Sequence, residues 1–242
     1  IFKHWFVDFE FPNENGEPYK SSGGKFVESE LGMIPEGWKV KGFLEVVNVL
    51  SGGTPKTREL SYWNGNIPFF TPKDYNNGFY VLETEKSITD LGLENCNSKL
   101  FPINTVFITA RGTVGKVCMN AYPMAMNQSC YALQSNDELT QYYLFLLTKR
   151  IANNLSKYAS GSVFDAITVS TFKSIKIVLP SKRILMLAES IFQSIFELIR
   201  NNSIEIKELA NLRDTLLPKL MSGEIRVPEA EEAVESCLQK NS

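Results

Sequence analysis

One segment of the sequence, from Lys182 to Leu217, contains neither glycine nor proline and repeats its apolar residues at alternating spacings of three and four. This pattern, held over about five heptads, predicts one long helix with a coiled-coil seam. At ~1.5 Å per residue, the helix would be a rod of roughly 50 Å. Its apolar face needs a partner helix to be stable in water. The predicted seam residues are Leu185, Phe192, Ile195, Ile199, Ile206, Leu209 and Leu216.

The C-terminal end of this helix is marked by Pro218 and Gly223. The acidic tail that follows, residues 224–242, is expected to be frayed or disordered. Asn202 lies in the seam, where it would lower the stability of pairing but define its register. The alternative to one rod is a pair of shorter helices hinged at residues 201–203.

The rest of the sequence divides into a linker and a domain of mixed secondary structure. Residues 12–37 are rich in proline, glycine, serine and glutamate, which is typical of an extended linker. Residues 38–180 alternate short apolar runs with turn residues, which predicts a mixed α/β domain of the α+β class. We predict strands at 105–110, 115–120, 130–135 and 172–180, a helix over 137–158 capped by Asn136 or Asp137, and a helix or a strand at 43–50.

Composition excludes several classes of function. The 242 residues are 43% hydrophobic, yet no apolar run approaches the ~18 residues of a membrane span. A single histidine and four cysteines without a C-x-x-C pair argue against a zinc site and against Ser-His-Asp or Cys-His catalysis. No signal peptide is visible, so we expect a cytoplasmic protein with reduced cysteines and without a metal or cofactor.

The net charge of −2 is distributed unevenly along the chain. Residues 35–182 carry 15 lysines and arginines against 11 aspartates and glutamates, whereas the segments on either side are acidic. A basic domain between acidic segments is compatible with a polyanion as partner.

The stretch SGGTPKT, residues 51–57, has two glycines followed by a lysine and a threonine, as a phosphate-binding loop does. That loop requires a glycine directly before the lysine, so that backbone amides surround the anion. Here Pro55 precedes Lys56, and proline has no N–H to donate. A nucleotide site is therefore not predicted, and a Gly-Gly turn between two strands is the alternative.

Several stretches, in the same order along the chain, resemble the specificity subunits of Type I restriction-modification systems. GMIPEGWKV (32–40) is similar to the entry into a target-recognition domain. SGGTPKTRELSYWNGNIPFFTPKDY (51–75) and ITARGTVGKVCMNAYPMAMNQSCYAL (108–133) are similar to its two signatures. LRDTLLPKLMSGEIRV (212–227) resembles the end of the conserved helical region, and FKHWFVDFEFP resembles the end of the preceding one. The family pattern has two recognition domains and two helical regions, and this chain has one of each.

The resemblance implies four regions: the end of a preceding helix with a linker at 1–34, a DNA target-recognition domain at 35–181, a coiled-coil spacer helix at 182–223 and the acidic tail at 224–242. It implies a non-catalytic specificity subunit or half-subunit that reads one half of a bipartite target. In agreement, the sequence contains neither [DNS]-P-P-[YFW] nor F-x-G-x-G, the motifs of a methyltransferase. The implied partners are double-stranded DNA, methyltransferase subunits, the restriction subunit through them, and a second specificity half or a second copy of this chain.

A rod that pairs with the helix of a second half would hold two recognition domains apart. At ~3.4 Å per base pair, a rod of ~50 Å is long enough to span several base pairs that are not read. The alternative function is a protein-assembly module, whose helix recruits partners without specific reading of DNA.

The two signature loops contain the groups that bind DNA, namely cations for phosphates and polar side chains for base edges. Their glycines would let the backbone approach a phosphate. The structural alternative is that these are ordinary surface turns, in which amides satisfy backbone groups and Tyr62 and Trp63 anchor the loop. The candidate DNA-binding residues are Thr54, Lys56, Thr57, Arg58, Lys73, Asp74, Arg111, Gly112, Thr113, Lys116, Asn127, Gln128 and Ser162.

Overall fold

The computed structural model describes residues 1–158 and 166–240, and the chain divides into two units, Ile1–Ser194 and Ile195–Ser242. The first unit mixes helices and short strands, which confirms the predicted class. In chain order it contains α1 (Phe2–Phe6), β1 (Phe26–Ser29), β2 (Gly32–Pro35), β3 (Lys39–Gly42), α2 (Phe43–Val46), β4 (Val47–Ser51), β5 (Trp63–Phe70), β6 (Tyr80–Val81), β7 (Lys86–Ile88), α3 (Asp90–Glu94), β8 (Val106–Thr109), β9 (Val117–Asn120), β10 (Ala125–Met126), β11 (Cys130–Ser135), α4 (Gln141–Tyr158), α5 (Val169–Lys173) and β12 (Lys176–Leu179). Helix α6 (Lys182–Ser222) begins in the first unit, and α7 (Val227–Lys240) belongs to the second.

A five-stranded sheet in the order β4-β11-β8-β9-β6 forms the centre of the first unit. Neighbouring strands are antiparallel, except that β6 and β9 are parallel. Every residue of β8 and β9 is buried, which explains why their sequences are apolar runs rather than alternating patterns. Helix α4 packs against β8, β9 and β11. The predicted strands at 105–110, 115–120 and 130–135 are confirmed, with shorter bounds for the first two.

A second sheet, in the order β10-β5-β7, shares its core with the first. The parallel pair β5 and β10 ends at Phe70 opposite Met126. Both side chains are buried in one cluster with Phe107 of β8, and the rings of Phe70 and Phe107 stack at 5.1 Å between centroids. The two sheets are therefore held in a defined relation by apolar packing.

Residues 12–37 do not form the extended linker that their composition predicts. Strands β1 and β2 form a hairpin within this segment. The ring of Phe11 stacks on Tyr19 at 4.6 Å and on Trp38 at 4.9 Å between centroids. Aromatic residues bury a large apolar area, so a few of them fold a segment that is otherwise rich in proline, glycine and serine.

Three other predicted elements are divided or shifted. Residues 43–50 contain both alternatives, because α2 leads directly into β4. Helix α4 starts at Gln141, later than predicted, because Ser135 bonds to the backbone of Leu139 through its hydroxyl and Asp137 takes a left-handed φ of 75°. The closing strand is β12 alone, since the residues before Ser174 form α5.

Helix α6 is continuous over 41 residues, so the alternative of two helices hinged at 201–203 is wrong. It also continues past Pro218 and ends at Ser222, and the following Gly223 has a left-handed φ of 75°, which is typical of the residue after a helix C-terminus. None of the helices within residues 1–158 and 166–240 combines the length and apolar character that a bilayer crossing requires.

The predicted seam is divided between two environments. At the start of α6, Leu185 and Phe192 are buried in the first unit, and the ring of Phe192 lies 6.5 Å from that of Phe6 in α1. In the second unit, by contrast, Ile195 is 42% exposed and Ile206 is 67% exposed. This later part of the seam retains apolar surface accessible to solvent.

The acidic tail is helical over α7, so the prediction of a disordered tail is wrong. Val227, Ala230 and Val234 recur at helical spacing among the glutamates, and Ala230 is buried. Together with five leucines of α6, these residues line a cavity of about 560 Å³. The leucines are Leu209, Leu212, Leu216, Leu217 and Leu220. Ala230 is the buried position of this face, whereas Val227 and Val234 remain 62% and 37% exposed.

Candidate nucleic-acid interface

Four loops meet at one edge of the two sheets because of how the strands are paired. Strand β4 ends at Ser51 opposite Tyr131, and β8 ends at Thr109 opposite Cys130. At the same edge, the backbone N–H of Asn127 donates to the carbonyl of Phe70 at 2.9 Å. The loops that leave these strand ends are 52–58, 71–74, 110–116 and 127–129. Both signatures named from the sequence therefore meet in the structure.

The glycines of SGGTPKT are buried by the neighbouring loop. A Cβ on Gly52 would lie 2.3 Å from the carbonyl oxygens of Met126 and Asn127, and one on Gly53 would lie 2.7 Å from the backbone nitrogen of Asn97. Close packing of protein backbone, rather than approach to a phosphate, is thus what requires glycine here. The next residue, Thr54, is exposed and donates its hydroxyl to Oε1 of Gln128.

The rest of loop 52–58 is exposed, and a hydrogen bond from the Trp63 indole holds it in place. Lys56, Thr57 and Arg58 all face solvent. Trp63 donates its Nε1–H to the carbonyl of Lys56 at 3.2 Å, so this tryptophan anchors the loop. The structural alternative considered for Trp63 therefore holds within the described structure.

The second signature forms a tight turn that carries Arg111 into solvent. The hydroxyl of Thr109 donates to the carbonyl of Thr113 and accepts the backbone N–H of Lys116 at 3.0 Å. Gly112 has a left-handed φ of 77°, with open space around it. The backbone N–H of Arg111 donates to the carbonyl of Ser129 at 3.2 Å, which joins this turn to loop 127–129.

Asp74 organises the turn after β5 rather than facing outward with free oxygens. Its Oδ2 accepts the backbone N–H and the hydroxyl of Thr71 at 2.7 and 2.8 Å. Its Oδ1 accepts the backbone N–H of Glu85 at 2.7 Å. Asn127 has a comparable role, since its Oδ1 accepts the backbone N–H of Ser129 at 3.0 Å.

These turns enclose a cleft of about 390 Å³. Five of the predicted residues line it: Lys73, Arg111, Gly112, Thr113 and Asn127. Five further lining residues were not predicted: Thr71, Pro72, Glu85, Lys86 and Ser129. Lys86 is exposed and Ile88 is buried on the short strand β7. The sequence can indicate an exposed lysine on a strand, but only the pairing of β7 with β5 brings Lys86 to this edge.

The other predicted residues lie outside the lining of the cleft or outside the described structure. Lys116 is half-buried, with its Nζ 5.8 Å from the centroid of the Tyr75 ring. Gln128 is exposed and bonded to Thr54, as described above. Ser162 lies outside the described residues.

The cleft is lined by three cationic side chains and one carboxylate, Glu85, and none of the three cations forms an ion pair among the described residues. Within residues 1–158 and 166–240, Lys73, Lys86 and Arg111 have no carboxylate oxygen within 4.0 Å. The same holds in that part of the chain for Lys56 and Arg58. The Nζ of Lys86 lies 5.8 Å from the centroid of the Trp63 ring, which links the cleft to loop 52–58. Unpaired cations around a concave surface attract a polyanion.

Nucleophilic and metal chemistry have no support in the described residues. Burial raises the pKa of the Cys118 and Cys130 thiols, so both remain neutral at physiological pH. In residues 1–158 and 166–240, no group of three or more His, Cys, Asp or Glu side chains is placed to hold a metal ion.

Comparison with known proteins agrees with this geometry. A family model described as "Type I restriction modification DNA specificity domain" matches residues 35–213. The chain is 31% identical over 195 residues to the Type I restriction enzyme HindI specificity subunit of Haemophilus influenzae, covering 79% of this chain and 42% of that protein. It is 34% identical over 161 residues to the Type I restriction enzyme MjaIX specificity subunit of Methanocaldococcus jannaschii, covering 65% and 37%.

A solved structure shows a similar fold. The S subunit of a Type-I restriction-modification system from M. genitalium superposes with a TM-score of 0.57 at 18% identity, covering 76% of this chain and 45% of that chain. In all three comparisons the chain spans less than half the length of its relative.

Proposed function

The chain belongs to the Type I restriction modification DNA specificity domain family, and from this premise we propose that it is a non-catalytic DNA-recognition subunit, or half of one. The observation that supports this most directly is the cleft at the sheet edge. Lys73, Lys86 and Arg111 surround it without carboxylate partners among the described residues. Phosphate contacts from such cations position a protein on DNA, and the polar side chains beside them read base edges.

We further propose that the chain reads one half of a bipartite target. Its match to less than half of its relatives supports this, because one recognition domain would serve one half-site. A second specificity half would pair with α6. Exposed Ile195, Leu198 and Ile206 supply the apolar surface for such a partner helix.

The partners in this proposal are double-stranded DNA and methyltransferase subunits, which dock on the helical region and bring the restriction subunit with them. The complex would act on DNA in the cytoplasm. A protein-assembly module without specific DNA reading is the second candidate, since the exposed apolar residues of α6 would also serve it.

The decisive experiment maps methylated sites across the genome in cells with and without this chain. The proposal expects one bipartite methylated sequence to disappear when the chain is removed. An unchanged methylation pattern would contradict it. Binding of the full chain to duplex DNA then separates the two candidates, because a DNA reader prefers one duplex over random sequence and loses affinity as salt rises.

A further inference from the structure

The cleft contains one feature that phosphate binding does not explain. Among the described residues that line it, Glu85 is the only acidic one. Its side chain is exposed, and within residues 1–158 and 166–240 its carboxylate makes no ion pair with Lys73, Lys86 or Arg111. An unpaired carboxylate that faces DNA repels phosphates and lowers affinity.

The backbone at Glu85 is held in place from both sides. Its N–H donates to Oδ1 of Asp74 at 2.7 Å. The hydroxyl of the preceding residue, Thr84, makes two hydrogen bonds. Its oxygen accepts a hydrogen bond from the backbone N–H of Phe69 at 3.1 Å, and its O–H donates to the carbonyl of Lys86 at 2.6 Å. The backbone position of Glu85 at the cleft is therefore defined by the fold.

An ionised carboxylate only accepts hydrogen bonds, so its match in DNA must be a donor. In the major groove, cytosine presents the N4 amino group as donor, whereas adenine presents its amino group next to the N7 acceptor. Cytosine is thus the better match for Glu85. Its paired guanine presents two acceptors, O6 and N7, which suit the guanidinium of Arg111 on the same cleft.

We propose that Glu85 is a specificity-determining residue that accepts a hydrogen bond from the N4 amino group of a cytosine in the half-site, with Arg111 facing the guanine of the same pair. This rests on the proposed function. The carboxylate lowers general affinity for DNA and restores it only at a C·G pair, so its contribution is selectivity.

The test compares the full-length wild-type chain with Glu85→Ala and with Glu94→Ala, which removes an equal charge from α3 away from the cleft. Selection from duplexes with randomised bases defines the preferred half-site of each protein. Glu85→Ala is expected to bind random DNA more tightly and to lose about tenfold discrimination at one C·G pair. Glu94→Ala is expected to keep the wild-type preference at every position.

A base analogue then isolates the amino group. Replacing the selected cytosine by 2-pyrimidinone removes N4 alone and is expected to weaken wild-type binding about tenfold while leaving Glu85→Ala nearly unaffected. The inference is overturned if Glu85→Ala changes affinity for all duplexes by one common factor, or if both proteins respond equally to the analogue. A wild-type chain that prefers no duplex over random DNA would instead contradict the proposed function itself.

Discussion

The hydroxyl of Thr54 donates a hydrogen bond to Oε1 of Gln128, which lies 74 residues later in the chain. Beside this contact, the backbone N–H of Gly53 donates to the carbonyl of Met126 at 3.1 Å. The glycine-rich loop and the amide-bearing loop are therefore packed as one unit. In the proposed function, a side chain on either loop would reach DNA from a position that the other loop helps to define.

Replacing Gly52 by alanine is expected to lower the free energy of unfolding by about 2–4 kcal/mol, because the new Cβ would overlap two backbone carbonyl oxygens that cannot move independently. Urea unfolding measures the change. Ser51→Ala, at the exposed neighbouring position, should stay within about 0.5 kcal/mol of the wild type. Equal stability of the two variants would show that the loop is not packed as described.

Arg111→Ala is expected to weaken binding to duplex DNA about five- to tenfold at low salt and to reduce the preference for guanine at one position of the half-site. Fluorescence anisotropy with duplexes that differ at that position measures both. Lys39→Ala is the matched control, because Lys39 lies beside residues 136–138, which follow β11 at the end remote from the cleft. A loss of affinity as large for Lys39→Ala as for Arg111→Ala would argue against the cleft.

Trp63→Phe retains an aromatic ring but removes the indole N–H that bonds to the carbonyl of Lys56. We expect a loss of about 1 kcal/mol in stability and a severalfold loss in DNA affinity, since loop 52–58 becomes less ordered. Calorimetry and DNA titration test the two effects. Trp5→Phe is the control, and it should leave DNA affinity unchanged.

The buried thiols predict a pattern of chemical labelling and of pH dependence. At pH 8 the native protein should react quickly only at Cys96 and Cys237, whereas all four cysteines react in denaturant. Burial raises the pKa of Cys118 and Cys130 above the ordinary value of 9.0, so above that pH the unfolded chain has released protons that the folded chain retains. The free energy of unfolding should therefore fall as pH rises through 9. Rapid labelling of all four thiols in the native protein would show that Cys118 and Cys130 are not buried.

We expect an insertion of seven residues between Arg200 and Leu209 to lengthen the unread spacer of the proposed target by about three base pairs. Seven residues are one heptad, so the insertion keeps the heptad register. Methylation mapping reads the spacer directly. The same insertion between Gly223 and Ile225, beyond the end of α6, should leave the spacer unaltered. A spacer that is indifferent to both insertions would contradict the role of α6 as a ruler.

Parts of the candidate site could be predicted from the sequence because glycine turns with polar and basic residues are local patterns. Arg111 and Lys73, which those patterns single out, both line the cleft. Glu85 and Lys86 were missed, since nothing in LETEKSI (82–88) distinguishes them from other exposed charges until β7 pairs with β5. Asp74 was identified for its charge, yet the structure uses both of its oxygens to hold backbone groups.

The sequence by itself determined the long helix, since a 3,4 repeat without glycine or proline over more than thirty residues leaves the backbone one regular conformation. It also determined the strands β8, β9 and β11, whose short apolar or alternating patterns are local. Only the tertiary structure decided which seam residues are covered by the chain's own first unit, why Gly52 must be glycine, and which charges share a cleft. Helix periodicity arises from neighbours along the chain, whereas these relationships arise from strand pairing and packing between residues far apart in sequence.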